Sequence, residues 1–178
     1  MKCADNDDVV TLRAENEASQ LSFIFEGKKD DKISEFNLNL LQLDTEGLNI
    51  PEQEYSAIIT LSSGEFARIC RDFTQFSDTI NIDVQKDRIR FSVSGDAGEG
   101  AVTLKHREDR GGSRTILEVV ENVNASFALR YLNLFCKAAG LGETVGLSLS
   151  KDLPLVVHFQ FDIGEIKYYL APKINDEV

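Results

Sequence analysis

Thr79-Ile80-Asn81-Ile82-Asp83-Val84-Gln85-Lys86-Asp87 and Thr144-Val145-Gly146-Leu147-Ser148-Leu149-Ser150-Lys151-Asp152 lie over one another without a gap. Each alternates apolar with small or polar residues, the period of a half-buried strand. Each ends in Lys-Asp, a pair suited to a turn. After the first copy, Ile89, Phe91 and Val93 give a second strand, and Val102 and Leu104 a third. After the second copy, Leu155–Phe161 and Glu165–Leu170 do the same, and Gly95, Gly98, Gly100, Gly111 and Gly112 punctuate the connections. Before the first copy, Ser56–Leu61 reads as a strand and Ser62-Ser63-Gly64-Glu65 has the spacing of a capping box. Phe66, Ile69, Cys70 and Phe73 then follow at i, i+3, i+4, i+7, one buried helical face. Before the second copy, Thr115–Val120 is strand-like and Ala128–Ala138 helical. Two runs of strand, helix and three strands predict an internal duplication. Antiparallel meanders with helices on one face predict an α+β domain.

Val9–Ala14, Leu21–Glu26 and Ile33–Leu40 read as three more strands in the same order, with turns at Glu15–Ser19 and Gly27–Asp31. Ahead of them stand Met1-Lys2-Cys3-Ala4, the length of a helix's last turn. The first strand and most of the helix of a third copy are therefore expected to be absent. A three-stranded sheet without its helix leaves one face uncovered and needs a partner. Leu40–Tyr55 joins this part to the duplicated part. It keeps no regular period, carries Gly47 and Pro51, and spaces apolar residues among Asp44, Glu46, Glu52 and Glu54. Connections of that length tend to be functional, so it reads as an acidic strap with apolar teeth. The expected organisation is a partial domain over 1–39, a connector over 40–55 and a complete domain over 56–178.

The 178 residues include 42% hydrophobic side chains, enough for a real core. The absence of a long apolar run and of a cationic, apolar leader disfavours membrane insertion and secretion. Cys3, Cys70 and Cys136 are odd in number and lack metal-type spacing, so they read as reduced intracellular thiols. No metal and no cofactor is called for. His106 and His158 have no Ser or Cys at a suggestive spacing, and no carboxylate pair stands out, so an enzyme is disfavoured. The net charge of −11 repels phosphate unless the cations are gathered in one place. Gathering is what the helices predict. Arg68, Arg71 and Gln75 project opposite the Phe66–Phe73 face, and Arg130, Asn133 and Lys137 form a polar stripe with no acid inside the helix. Two equivalent helices offering cations outward point to a phosphate-facing surface. With no aromatic residue interleaved, it is suited to a duplex backbone rather than to stacked single strands.

The residues that carry these features also resemble one family. Leu43-Asp44, Leu48-Asn49-Ile50-Pro51-Glu52-Gln53-Glu54-Tyr55, Gly64-Glu65-Phe66-Ala67-Arg68-Ile69-Cys70-Arg71-Asp72, Phe127-Ala128-Leu129-Arg130-Tyr131-Leu132, Pro154-Leu155-Val156-Val157 and Tyr168-Tyr169-Leu170-Ala171-Pro172-Lys173-Ile174 closely resemble the proliferating cell nuclear antigen family, the eukaryotic sliding clamps. The resemblance implies a nuclear, non-catalytic homotrimeric ring that encircles double-stranded DNA. As a processivity factor in replication and repair, it would dock DNA polymerases, a clamp loader, and ligase- and nuclease-type proteins through a short peptide. It also implies roles for residues. Leu48, Ile50 and Pro51, with Pro154, Tyr169, Leu170, Ala171, Pro172, Lys173 and Ile174, would form one wall of the peptide pocket. Lys2, Arg68, Arg71, Arg130 and Lys137 would line the hole, and Glu35, Phe36, Gly98, Gly100 and Val102 would lie on the edges that join subunits. Against the family's pattern, the N-terminal half of the first domain is not found in the sequence. An alternative reading is a shortened peptide-docking module that binds clamp partners without encircling DNA.

Overall fold

The computed structural model describes residue 5 and residues 7–16, 18–28, 32–41, 53–107 and 115–173. The chain divides into two compact units, Met1–Pro51 and Glu52–Val178.

In the first unit, β1 (Val9–Arg13), β2 (Gln20–Glu26) and β3 (Ile33–Asn39) form an antiparallel meander in that order. The register sets Val10 opposite Phe25, Leu12 opposite Phe23, Phe23 opposite Phe36 and Leu21 opposite Leu38. Residues opposite one another share a face, so one side of this sheet is apolar but for Ser34, which lies opposite Phe25. Phe25 and Phe36 meet edge-on, with ring centroids 5.8 Å apart. Among the described residues of this unit Phe25 is the buried hydrophobic, while Phe36 and Leu38 are 44% and 55% exposed. The predicted uncovered face is present.

The second unit carries the duplication. Its first repeat is β4 (Ala57–Ser62), α1 (Ser63–Phe73), β5 (Thr79–Gln85), β6 (Arg88–Gly95) and β7 (Gly98–Lys105). The second is β9 (Val123–Ala128), α2 (Leu129–Phe135), β10 (Thr144–Leu149), β11 (Leu155–Phe161) and β12 (Gly164–Leu170), preceded by the short β8 (Ile116–Val119). The strand equivalent to β4 is therefore β9, and not the predicted Thr115–Val120. The latter does form a strand, but an extra one that extends a sheet at its edge. Val123–Ala128 reads poorly because Asn124, Ala125 and Ser126 have little strand preference of their own. Pairing with β5 is what makes it a strand.

The two repeats exchange their first strands. The sheets run β7-β6-β5-β9 and β12-β11-β10-β4-β8, so β9 completes the first repeat's sheet and β4 joins the second's. The registers correspond. Ser62, the N-cap of α1, lies opposite Thr144, and Ala128, the N-cap of α2, lies opposite Thr79. The next residue of each helix then donates its backbone N–H across the repeats, Ser63 to the Glu143 carbonyl at 2.9 Å and Leu129 to the Asp78 carbonyl at 2.8 Å. A local two-fold relation thus holds down to individual hydrogen bonds.

The first helix covers its sheet with the face its periodicity predicts, and the second buries Leu129 and Leu132. Phe66, Ile69, Cys70 and Phe73 are buried on α1, with Phe66 tilted against Phe91 of β6 at 6.1 Å between centroids. On α2, Leu129 and Leu132 are buried, and the following Phe135 stacks on Tyr168 of β12 at 4.4 Å. Burying each such side chain contributes about 1.5–3 kcal/mol, and one core joins both repeats. Two local readings change. The helix predicted over Ala128–Ala138 is α-helical to Phe135 and then tightens into a 3-10 turn, Cys136–Gly140. Asn133 directs its amide to the carbonyl of Leu129, one turn back, at 3.1 Å, a competing bond typical of helix ends. Second, the capping box is half formed. The Ser62 hydroxyl accepts the Glu65 N–H at 3.4 Å, but the Glu65 carboxylate turns to Arg68.

The turns after the repeated strands also differ. Lys86-Asp87 is a tight two-residue hairpin between paired Gln85 and Arg88. The second connection runs over 150–154, with Asp152 at φ 63°, a left-handed conformation that Asp tolerates. Gly95 and Gly98 pair to close the β6–β7 hairpin, whereas Gly100 lies inside β7. Gly111 and Gly112 lie outside the described residues. At Gly95 a Cβ would sit 2.1 Å from the Phe76 carbonyl oxygen, whereas at Gly140 it would meet nothing within 4 Å. Gly95→Ala is therefore expected to destabilise the protein by roughly 2 kcal/mol or more. Gly140→Ala should be neutral or slightly stabilising. Denaturant unfolding of the two variants against the parent checks the contrast.

Candidate functional site

The strand exchange sets α1 and α2 beside one another, with a shallow groove between them. Gly64, Ala67, Arg68 and Arg71 line it from α1, and Asn133, Cys136 and Lys137 from α2 and its 3-10 turn. Asn133 ties the helices together. Its amide reaches the Cys70 carbonyl at 3.3 Å and the Thr74 hydroxyl at 2.8 Å. Three of the predicted hole-lining cations, Arg68, Arg71 and Lys137, therefore meet at one groove. Arg130 is exposed nearby on α2, its guanidinium 4.5 Å from the centre of the Tyr131 ring and donating to the Tyr131 hydroxyl at 2.8 Å. Gln75 lies beyond the end of α1. Lys2 is outside the described residues.

The charge on this face is less positive than its cations alone imply. Arg68 grips both oxygens of Glu65 at 2.7 and 2.8 Å, which raises the guanidinium pKa above its ordinary value. Arg71 pairs with Asp72 at 3.1 Å. The α1 cations are thus balanced by acids of the same helix, while the α2 segment carries Arg130 and Lys137 with no acid between them. Sequence spacing alone hides this, because Glu65 fits the helix cap as well as it fits an ion pair.

A second cluster gathers where the strap enters the duplicated unit. Ser56 donates its backbone N–H to the buried Ser150 hydroxyl at 2.7 Å and accepts from the N–H groups of Val120 and Glu121 at 2.8 and 3.2 Å. This node fixes the chain between Tyr55 and the 150–154 connection that carries Pro154. Tyr55 comes beside Tyr169 of β12, and burial first, then the Tyr169 phenol, raises the Tyr55 pKa above the usual phenol value. Tyr169 is 38% exposed and Pro154 half-buried. Sequence reading places Tyr55 only in the strap, with nothing to pair it with Tyr169.

Lys173, beyond β12, is held by contacts within the chain. The Lys173 N–H donates to the Ser126 carbonyl of β9 at 2.7 Å, and its ammonium bonds the Thr79 hydroxyl and lies 3.5 Å from Asp78. The Lys173 backbone N–H, in a segment expected to wall the peptide pocket, is therefore already engaged within the chain. Leu170 is buried, turned inward by the alternation that turns Tyr169 outward, so its side chain belongs to the core rather than to a pocket wall. Ala171 is exposed and Pro172 half-buried. Leu48, Ile50, Pro51 and Ile174 lie outside the described residues. Among the predicted edges, β3 with Glu35 and Phe36 is an outer strand of its sheet, and so is β7 with Gly98, Gly100 and Val102.

The chain's residues 49–173 match the family model for the proliferating cell nuclear antigen C-terminal domain, and residues 1–47 match the N-terminal domain. The chain belongs to the proliferating cell nuclear antigen family. Its α+β sheets and helix pair are the clamp fold. Both histidines have structural partners: His106 accepts the Leu117 N–H at 3.1 Å, and His158 faces Glu165 at 2.8 Å.

Replacing Lys173 with Met should release the tail. Hydrogen exchange at Leu170–Lys173 is expected to rise while exchange in α1 stays unchanged. Acid should act in the same direction. Thr79 first, then Lys173, lowers the Asp78 pKa below the usual carboxylate range. The tether's contribution is present above the ordinary Asp value of about 3.9 and is lost as pH falls through the lowered folded value. Exchange in the tail that does not respond to Lys173→Met would show that other contacts hold it.

Proposed function

We propose that the chain is a sliding-clamp subunit that is not an enzyme. It holds duplex DNA by encirclement and docks replication and repair proteins. The observation that carries this reading is the helix pair. The two helix segments gather Arg68, Arg71 and Lys137 at one groove, with Arg130 exposed on the second helix, in a chain whose net charge is −11. A binder that relied on affinity would need a strongly basic surface. Encirclement needs only that the inner face not repel phosphate. The paired Arg68 and Arg71 meet that need. Arg130 and Lys137, with no acid beside them on their own helix, supply weak, sequence-independent backbone contacts.

Ring closure would join the free edge of β3 in one subunit to that of β7 in the next by backbone pairing between edge strands. Three subunits, as in the family's ring, would complete it. The second role falls to the Tyr55–Tyr169 region. A pocket formed there beside Pro154, Ala171 and Pro172 would suit a short peptide with an aromatic anchor, of the kind carried by polymerases, clamp loaders, ligases and nucleases. A nuclear site of action follows from such partners. The competing reading, a docking module that does not encircle DNA, draws on the open apolar face of the first sheet, which is a poor starting point for a closed ring.

Two measurements separate these readings. Sedimentation equilibrium is expected to give a trimer, and the protein should stay on closed circular duplex yet run off when the circle is cut. A strict monomer that is equally lost from circular and linear DNA would support the docking module instead. Within the clamp reading, Arg130→Ala with Lys137→Ala should lower the slope of log K against log salt by about 2 for each subunit, since each phosphate neutralised accounts for roughly 0.9 of that slope.

A further inference from the structure

The local two-fold relation makes β7 and β12 equivalent: each ends its repeat, and each is an outer strand of its sheet among the described residues. The helix surfaces that go with them are not equivalent. Three and six residues after its N-cap, α1 carries Glu65 and Arg68, an ion pair. At the same places α2 carries Tyr131 and Leu134, which are 39% and 53% exposed. Tyr131 stands one turn before Phe135, on the side of α2 away from Asn133, and Phe135 stacks on Tyr168 of β12. The β12 edge is thus flanked by apolar surface where its counterpart is charged.

We propose that the β12 edge docks the β1 edge of a second copy of this chain, with Arg13 of one copy set against Glu165 of the other. The proposal does not depend on DNA binding or on closure through β3 and β7. β1 is also an outer strand of its sheet, and it is exposed along its whole length. Val10 and Leu12 share the apolar face with Phe25 and Phe23, while Val9, Thr11 and Arg13 take the other face. β12 alternates in the same way. Ile166 and Tyr168 pack against the core, and Glu165, Lys167 and Tyr169 turn outward.

One antiparallel register satisfies both faces at once. It sets Leu12 opposite Ile166 and Val10 opposite Tyr168 on the apolar side, and Arg13 opposite Glu165 and Thr11 opposite Lys167 on the other. Apolar pairs and opposite charges directly across an antiparallel ladder both stabilise it. A slip of one residue would turn Leu12 and Val10 to the charged side. A slip of two sets Arg13 against Lys167 in one direction and against Ile163 in the other. Arg13 has no ion-pair partner among the described residues. The Glu165 carboxylate is held by His158 at 2.8 Å and Lys167 at 3.0 Å, yet it stays half exposed. Pairing in this register would continue the apolar face of the three-stranded sheet onto Ile166 and Tyr168, with Tyr131 beside it. The open face of that sheet would gain a neighbour along its β1 side.

Amide hydrogen exchange of the full chain, in dilute and in concentrated solution, tests the pairing. Outward N–H groups of an edge strand exchange quickly unless another strand pairs with them. Exchange in β1 and in β12 is expected to slow together as concentration rises. Arg13→Glu should abolish that slowing, as should Glu165→Arg, and the two changes together should restore it. Slowing at β3 and β7 alone would overturn the proposal while leaving ring closure standing. Exchange in β1 and β12 that does not respond to concentration would also overturn it, whether both edges are idle or the pairing lies within one chain. So would a double variant that fails to recover the slowing.

Discussion

Two backbone hydrogen bonds, Ser63 N–H to Glu143 and Leu129 N–H to Asp78, hold the point on which the second unit depends. Each satisfies a donor at a helix start that has no partner within its own helix. Each draws that partner from the other repeat. The strands leading into the helices, β4 and β9, must therefore cross into the opposite sheet, and neither repeat can close its sheet alone. Once both strands are exchanged, α1 and α2 are forced side by side. The groove and its cations follow from that placement.

Electrostatics then sets what the helix face can do. Arg68 and Arg71 are paired with Glu65 and Asp72 on the surface, where ion pairs of this kind are weak and screened by salt. They neutralise more than they attract. Among the described residues of this face, Arg130 and Lys137 remain as the available cations. On the proposed reading, a face of this kind would tolerate DNA without gripping it, as a molecule that slides requires. The opposite, polar surface of the β5–β6–β7 sheet mixes Arg90 with Glu99 and several hydroxyls, and lacks any such segregation.

Much of this is legible in the residues. The gapless overlay of Thr79–Asp87 on Thr144–Asp152 reveals the duplication, and the i, i+3, i+4, i+7 spacing of Phe66, Ile69, Cys70 and Phe73 marks the buried face of α1. What is not legible depends on contacts distant in sequence. Val123–Ala128 has weak strand character and becomes β9 only through β5, so periodicity misses the exchange of strands and puts Thr115–Val120 in its place. Glu65 fits a capping box and an Arg68 ion pair equally well by spacing, and tertiary geometry chooses the latter. Tyr55 falls in the strap by sequence, yet in the fold it is near enough to Tyr169 for that phenol to help raise its pKa.

The central claim is that the strand-exchanged helix pair is the surface that faces duplex DNA. Amide chemical-shift mapping during titration with a short duplex at low salt tests it most directly. Shifts are expected to concentrate in Gly64–Arg71 and Arg130–Lys137 and to vanish as salt is raised. Shifts centred instead on Arg90, Ser92 and Glu99 of the outer sheet face, with the helices silent, would contradict it.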